Sequence, residues 1–205
     1  KILNKSMKIK KNLLFFSFTF LLYISSAFSS EKPVSVSLGD KNAKVTIKVF
    51  SSLTCPHCAN FHKKIFKELN NDFISTKIAR FEHHAFPLDL AALNAEKVLG
   101  CLKSEEKKIS LLNEIYEKQD FWASGADINS INSKLFKIGK NHGLKDDIIQ
   151  KCISDEQIEN KILNERIMAS KIYSIESTPT IFINEKKYEG KHNYKEFKKE
   201  IEKRL

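Results

Sequence analysis

The chain has 205 residues, of which 41% are hydrophobic and 29% are charged. With 15 Phe and only 6 Gly and 4 Pro, this composition excludes a low-complexity or disordered chain. The formal net charge of +10 would suit nucleic-acid binding only if the basic residues were clustered. Five of the 35 basic residues precede the first acid, Glu31, and the rest are interspersed with 25 acidic residues. This distribution predicts a solvated surface and no nucleic-acid partner.

Residues 1–29 have the pattern of a secretory signal peptide. A basic segment that opens at Met7 precedes the apolar run 13–23, and small residues follow. Because this run is shorter than the roughly 20 residues of a membrane-spanning helix, a cleaved signal is favoured over an uncleaved anchor. Cleavage after Ala27 and cleavage after Ser29 both remain open. We expect the rest of the chain to be exported to a compartment in which disulfides persist.

Strand and helix patterns alternate in the first part of the remaining chain. Residues 33–38 and 43–50 alternate apolar and polar side chains and predict two strands. From Cys58 onward, apolar residues at every fourth position predict a helix with one buried face: Phe61, Ile65, Leu69 and Phe73. A third strand is predicted at 76–86, before Pro87, which cannot donate a ladder hydrogen bond. The predicted order is strand, strand, helix, strand.

Helical patterns dominate from residue 89 to residue 174, and we predict an all-helical insertion there. The predicted helices are 90–102, 105–119, 128–142 and 145–172. After the insertion, residues 180–184 and 187–189 predict a β-hairpin that turns at Glu185–Lys186. Asn193, with Glu196 three residues on, predicts the cap of a last helix.

The motif Cys55-Pro56-His57-Cys58 lies between a predicted strand and a predicted helix. The unpaired backbone N–H groups at the start of a helix stabilise a thiolate, and a protonated His57 adds positive charge. We therefore expect Cys55 to be an acidic nucleophile and Cys58 to be a more buried resolving thiol. Because a stabilised thiolate favours the reduced form, the Pro-His pair points to a disulfide that is readily donated.

A lone Cys-x-x-Cys motif can instead be half of a structural zinc site. His62 or His83 would then supply further ligands. Zinc sites normally show a second Cys or His pair at regular spacing, which this sequence lacks, so redox chemistry is favoured. The other histidines, His84, His142 and His192, are expected at the surface.

The segment Ser177-Thr178-Pro179-Thr180 immediately precedes a predicted strand. A proline there can be a simple edge or turn residue. Together with the cysteine motif, a cis Pro179 is favoured. It would leave the backbone of Thr178 free to pair with an extended peptide and would hold a substrate cysteine beside Cys55.

These motifs in this order resemble the DsbA family of thioredoxin-fold disulfide oxidoreductases. The resemblance rests on the strand leading into the cysteine motif, Phe86-Pro87-Leu88-Asp89, the helical stretch, Thr178-Pro179, and the terminal hairpin and helix. It implies an α/β protein with a thioredoxin fold and an inserted all-helical domain. The two parts of the thioredoxin domain would be 30–88 and 175–205, on either side of the insertion 89–174.

The resemblance also implies roles for individual residues. Cys55 would be the nucleophile and Cys58 the resolving thiol, with Pro56 and His57 completing the catalytic motif, while Thr178 and a cis Pro179 would bind substrate. The chain would be a monomeric periplasmic oxidase of reduced or unfolded secreted proteins. A membrane quinone-linked oxidase of the DsbB type would then reoxidise it. No metal or organic cofactor is implied.

The sequence departs from its relatives at two positions. Relatives often carry an acid where this chain has Val49, and that acid can assist proton transfer beneath the cysteines; proton transfer from Cys58 is therefore left open. Relatives often have Gly where this chain has Glu185, and we expect that change to alter only the turn geometry of the final hairpin.

Cys101 and Cys152 both lie in apolar surroundings within the predicted insertion. They could be free buried cysteines. Stray thiols beside an oxidising active site would risk mispairing, so a structural Cys101–Cys152 disulfide is favoured.

Two other functions remain as alternatives. A disulfide isomerase or reductase is one, since Thr before the cis proline is similar to the arrangement in isomerase relatives. A peptide-binding chaperone of the same fold, with incidental cysteines, is the other.

Overall fold

A computed structural model describes residues 35–125 and 127–205, so the predicted signal peptide, 1–29, lies outside the described residues. The strands found there are β1 (Ser35–Leu38), β2 (Val45–Ser51), β3 (Ala79–Ala85), β4 (Thr180–Ile183) and β5 (Lys186–Lys187). The α-helices found there are α1 (Pro56–Asn60), α2 (Lys67–Leu69), α3 (Leu90–Gly100), α4 (Glu105–Glu117), α5 (Gln119–Trp122), α6 (Ile128–Asn141), α7 (Asp146–Ile153), α8 (Glu156–Tyr173) and α9 (Tyr194–Glu202). Two π-helical segments, Phe61–Phe66 and Asn70–Ile74, flank α2.

The described strands form one mixed sheet in the order β1-β3-β2-β4-β5. Of the strands in the described residues, only β2 and β3 run parallel, and a parallel pair needs a long crossover, which here is helical. The alternation predicted for this strand is observed in β2, where Val45, Ile47 and Val49 are all buried. β2 is an inner strand that ends just before the cysteine motif, and it therefore fixes the position of that motif. The described strands and helices show the predicted α/β architecture, with a helical stretch between β3 and β4.

The helix that follows the cysteine motif alternates between α and π geometry. Its four apolar side chains at every fourth position are buried, as predicted: Phe61, Ile65, Leu69 and Phe73. Four residues exceed the 3.6 residues of an α-helical turn but fall short of the wider π turn. The alternation of the two geometries therefore keeps this stripe facing the sheet, a feature that the sequence analysis did not anticipate.

The region of the predicted insertion, 89–174, is helical in its described residues, with two corrections to the helix bounds. The helix predicted at 145–172 is wrong as a single element, because it is interrupted between α7 and α8. Asp155 accepts hydrogen bonds from the backbone N–H groups of Gln157 and Ile158 and so begins a new helix. The helix predicted at 105–119 ends at Glu117, and α5 follows as a separate turn.

One hydrophobic core joins the sheet to the helical region. Ile47 and Leu53, on the sheet side, belong to the same buried cluster as Leu111 and Trp122 from α4 and α5. The indole N–H of Trp122 donates to the carbonyl oxygen of Ile115 at 2.8 Å, so this large side chain is buried with its polar group satisfied. Residue bounds of 88 and 174 for the domain division stay a prediction.

Two histidines that were predicted at the surface are not exposed. His84 is only 9% exposed, stacks on Phe50 at 5.0 Å and lies 3.2 Å from Glu82 Oε2. The Nε2 atom of His142 lies 2.7 Å from Glu114 Oε2 in a half-buried position. The stacking on Phe50 and the contact with Glu114 depend on which elements become neighbours, whereas Glu82 lies two residues before His84 on the same face of β3. His192 is exposed, as expected.

The final hairpin turns one residue earlier than predicted. Ile183 pairs with Lys186, so the two turn residues are Asn184 and Glu185, and their φ angles are +48° and +61°. Positive φ at both central residues is the twist that two-residue hairpins prefer. Asn184 also accepts a hydrogen bond from the backbone N–H of Thr46 at 2.7 Å, which ties the turn to β2. Glu185, where relatives often have Gly, therefore adopts a left-handed backbone conformation although it carries a side chain.

Glu185→Gly is expected to raise the free energy of unfolding by about 0.5 kcal/mol. It relieves a left-handed conformation that costs a non-glycine residue roughly 1–2 kcal/mol, offset by glycine's backbone entropy and by loss of the Lys48–Glu185 ion pair. Urea denaturation measures the change. Glu185→Ala is the control, since it removes the ion pair but keeps the Cβ atom. An alanine variant more stable than the glycine variant would contradict this account.

No helix in the described part of the chain is both long enough and apolar enough to cross a membrane.

Candidate active site

Cys55 occupies the cap position at the start of α1. Its backbone is extended (φ −75°, ψ 120°), and its carbonyl oxygen accepts the first helical hydrogen bond, from Ala59 N–H at 3.1 Å. Pro56 follows at the first helical position, where its missing N–H costs nothing and its fixed φ suits the helix. The strand β2 and the loop after it thus deliver the sulfur of Cys55 to the positive end of a helix.

The thiol of Cys55 is strongly acidic. Its pKa is lowered to about 5, first by a hydrogen bond from the thiol of Cys58 and then by Thr178 and by the backbone N–H groups of Cys58 and His57, against an opposing effect of burial. Helix N–H groups stabilise a thiolate in this way. The contribution of His57 comes through its backbone N–H, whereas the sequence analysis had assigned it to the ring, which is exposed.

Cys58 has the opposite properties. It is 1% exposed, and burial, followed by the nearby sulfur of Cys55, raises its pKa far above the ordinary thiol value. In the structure both cysteines are free thiols. The motif therefore combines one thiol that ionises easily with one that keeps its proton at neutral pH.

The loop before β4 brings Thr178 and Pro179 to the cysteines from more than a hundred residues away. The thiol of Cys55 donates to the carbonyl oxygen of Thr178 at an Sγ···O distance of 3.3 Å. The Thr178–Pro179 peptide bond is cis, as the sequence analysis expected. The buried hydroxyl of Thr178 has no partner of good hydrogen-bond geometry in the described residues, yet it lies near enough to lower the pKa of Cys55.

Two polar contacts that the sequence did not indicate hold the active-site loop. The buried side chain of Gln119 donates to the carbonyl oxygens of Leu53 and Cys55, at 2.8 and 3.1 Å. The hydroxyl of Thr54 donates to Asp89 Oδ2 at 2.7 Å, while Asp89 Oδ1 caps α3. A single Gln at the end of a helical pattern carries no recognisable signal, so only the tertiary structure shows its contact with the loop.

Cys101 and Cys152 form a disulfide, with their Cα atoms 6.2 Å apart. Cys101 follows α3, and Cys152 lies near the end of α7. The bond therefore links two helices of the predicted insertion and leaves the Cys55–Cys58 pair available for exchange.

The histidines named as possible zinc ligands have other partners. His62 lies 2.6 Å from the side-chain oxygen of Asn113, and His83 lies 2.9 Å from Glu96 Oε1. The residues that the structure describes contain no group of three or more His, Cys, Asp or Glu side chains suited to a metal ion.

The lowered pKa predicts that alkylation of Cys55 in the reduced protein will follow a titration centred near pH 5. The thiolate stabilises the folded reduced protein fully above the unfolded thiol pKa of about 8.5, and this contribution is lost as the pH falls through about 5. Ultraviolet absorbance of the thiolate measures the midpoint. Cys58→Ala should raise it by removing a donor, whereas Cys58→Ser keeps a hydroxyl donor and should raise it less. A wild-type midpoint near 8.5 would contradict the assignment.

The described sheet, its parallel crossover, the cysteine pair at the start of the crossover helix and the cis proline before β4 define a thioredoxin-fold dithiol protein. A family model described as Thioredoxin matches residues 31–203, and the chain belongs to this family.

Among known proteins, the chain is similar to several with disulfide chemistry in their names. It is 30% identical over 148 residues to a Rickettsia bellii relative named as a protein-disulfide oxidoreductase, covering 72% of this chain and 56% of the relative. It is 27% identical over 177 residues to Disulfide bond formation protein D of Bacillus subtilis, covering 82% and 76%. The chain thus spans about half the length of the Rickettsia relatives it matches.

Among solved structures, Wolbachia pipientis alpha-DsbA1 has a TM-score of 0.77 and 28% sequence identity, and the match covers 83% of this chain and 90% of that one. The resemblance to DsbA proteins that the motifs predicted is confirmed.

Proposed function

We propose that this protein is a thiol–disulfide oxidoreductase that donates a Cys55–Cys58 disulfide to the thiols of other proteins. The observation that carries the proposal is the contrast between the two sulfurs. Cys55 is acidic at the start of α1, and Cys58 is buried and retains its proton. A disulfide between two such groups presents one sulfur that leaves easily from a mixed disulfide and one that is protected from substrate.

The reaction follows from this contrast in two exchanges. A substrate thiolate attacks Sγ of Cys55, the Cys55–Cys58 bond breaks, and Cys58 takes up a proton. A second thiolate of the substrate then attacks the substrate sulfur that is bonded to Cys55 in the mixed disulfide. Cys55 leaves as a stable thiolate. Each exchange breaks one sulfur–sulfur bond and forms another, and two electrons pass from the substrate to the protein in all. The substrate gains a disulfide, and the protein becomes the dithiol.

The acidity of Cys55 supports one direction of disulfide transfer. Any interaction that stabilises the thiolate stabilises the reduced protein, and this raises the reduction potential of the disulfide. The pKa of about 5 for Cys55 therefore supports oxidation of substrates over their reduction. Oxidase activity is accordingly our first proposal, and isomerase or reductase activity is the second.

Substrate would bind beside Cys55, at Thr178 and Pro179. The carbonyl oxygen of Thr178 lies 3.3 Å from Sγ of Cys55, so a peptide held along this loop would present its cysteine to the nucleophile. Leu88 donates its backbone N–H to Ser52 Oγ at 3.4 Å, in the loop that leads to Cys55, and the residue is 52% exposed. It offers an apolar contact to an unfolded substrate.

The setting of this activity is also proposed. Reduced or unfolded secreted proteins would be the substrates, in the periplasm, where disulfides persist. The dithiol form then needs an electron acceptor, for which a membrane quinone-linked oxidase of the DsbB type is the proposed partner. We propose that the protein acts as a monomer without a bound cofactor.

Two substrates of opposite redox state test the activity. Reduced, unfolded ribonuclease should gain disulfides when mixed with the oxidised protein, and scrambled ribonuclease should regain activity poorly. Efficient rescue of the scrambled substrate would favour the isomerase instead. Suppression of aggregation by a Cys55→Ala/Cys58→Ala protein, with no disulfide transfer by the wild type, would favour a chaperone.

A further inference from the structure

A buried acid and a buried histidine form a pair that the exchange reaction described above does not use. His83 of β3 and Glu96 of α3 lie 2.9 Å apart (Nε2 to Oε1) and are 1% and 5% exposed. Removing two ionisable groups from water costs free energy that an apolar pair would not incur. A buried pair that costs free energy is a candidate for a functional role, and the position of this pair suggests that role.

The pair lies on the face of the sheet whose apolar side chains share one buried cluster with the cysteines. His83 is opposite Val49 in the parallel register of β2 and β3, and paired residues of neighbouring strands point to the same face. Val49, Cys58 and Tyr116 all belong to one buried cluster. The His83–Glu96 pair therefore borders the core in which the thiol of Cys58 is enclosed.

Tyr116 of α4 connects the pair with the cysteines. Its ring stands edge-on to the ring of His83, with 6.3 Å between centroids. Its buried hydroxyl has no partner of good hydrogen-bond geometry in the described residues. Burial raises the pKa of Tyr116, the charge of Cys58 raises it further, the nearby side chain of Ser51 lowers it, and the charge of Glu96 raises it. Tyr116 thus contacts His83 of the pair and belongs to the same buried cluster as Cys58.

Cys58 needs a proton carrier in both directions of exchange. Because its pKa is raised well above the ordinary thiol value, it leaves readily only if a proton reaches it, and it attacks only if its proton is removed. Since Cys58 is 1% exposed, bulk water has little access to this sulfur.

We propose that the His83–Glu96 pair, acting through the hydroxyl of Tyr116, delivers the proton to Cys58 when this sulfur leaves and removes it when this sulfur attacks. In the attack, the S–H bond of Cys58 breaks and its proton passes to the pair. The Cys58–Cys55 bond forms, and the bond from Cys55 to the partner sulfur breaks, with its electron pair going to that sulfur. The pair then returns the proton to solvent. His83 and Glu96 do not touch the sulfurs, so they are positioning residues.

A second histidine packed on Tyr116 provides a matched control. His62 lies 4.7 Å from Tyr116 between ring centroids and hydrogen-bonds to Asn113, a neutral partner. Burial lowers the pKa of His62 to about 4, so it is uncharged at neutral pH. His62→Gln therefore removes a buried histidine from the same core without removing an acid–histidine pair.

The experiment separates the two steps by which the reduced protein reacts with oxidised glutathione. Acid quenching followed by mass measurement counts the Cys55–glutathione mixed disulfide and the Cys55–Cys58 disulfide over time and across pH. For Glu96→Gln and for His83→Gln, we expect the first step to be unchanged and the second to be about 100-fold slower, with an altered pH profile. Tyr116→Phe should slow the same step. His62→Gln should match the wild type, and Glu96→Asp should recover part of the rate.

The inference rests on the proposed thiol exchange, and the two can fail separately. If the wild type forms no mixed disulfide, the proposed function fails and the relay fails with it. If the wild type completes both steps and the Glu96→Gln protein does so at the same rate, only the relay is overturned. Should the glutamine variants not fold, Tyr116→Phe, which keeps the ring, decides: a wild-type second step in that variant overturns the relay.

Discussion

A Cys55→Ser protein is expected to transfer no disulfides above the uncatalysed background. The substrate thiolate has to attack Sγ of Cys55, the sulfur whose thiolate is stabilised at the start of α1. The neighbouring thiol of Cys58 does not replace it, because Cys58 is 1% exposed and burial raises its pKa. The rate at which reduced ribonuclease gains disulfides measures this loss. Activity retained by this variant would contradict the assignment of the active site.

Cys58→Ser is the matched variant, and it should behave differently. Its Cys55 remains a nucleophile, so it should capture a partner as a mixed disulfide that no second thiol of the protein resolves. Mass measurement of trapped adducts distinguishes the two variants. Adducts formed by Cys55→Ser rather than by Cys58→Ser would reverse the roles assigned to the two cysteines.

Removing the Cys101–Cys152 disulfide is expected to lower the free energy of unfolding by about 2–4 kcal/mol. The bond joins residues separated by 51 positions, and a cross-link of that span restricts the unfolded chain. Denaturant titration of a Cys101→Ala/Cys152→Ala protein, with Cys55 and Cys58 held reduced in both samples, measures the difference.

The same double variant should leave the chemistry of Cys55 unchanged, since the disulfide links α3 to α7 and makes no bond to the active-site loop. The midpoint of the thiolate titration serves as the control. A loss of stability below about 0.5 kcal/mol would show that the disulfide is not a structural cross-link of consequence.

Much of the site could be predicted because its components are local. A strand that ends in Cys-x-x-Cys and continues as a helix places the first cysteine at a helix N-terminus, whatever the rest of the chain does. The cis proline before β4 was predicted only in combination with that motif, because its local pattern alone also suits an edge or turn residue. Periodicity also identified the buried stripes of β2 and of the helix after Cys58.

The features that sequence analysis missed depend on contacts between distant elements. Gln119 reaches the carbonyl oxygens of the active-site loop only because α5 packs beside that loop. His83 was considered only as a zinc ligand, and its partner Glu96 was not considered at all, since strand register and helix packing together determine which acid it meets. The break between α7 and α8 reflects a cap, Asp155, within an otherwise continuous helical pattern.

The redox equilibrium of the purified protein with glutathione is the most direct test of the central claim. After equilibration in buffers of varied glutathione ratio, alkylation and mass measurement count the free thiols of Cys55 and Cys58. We predict a strongly oxidising pair, which stays reduced until the buffer contains a large excess of oxidised glutathione. A Cys55–Cys58 disulfide that resists reduction by glutathione would contradict the proposed oxidase and would point to reductase chemistry.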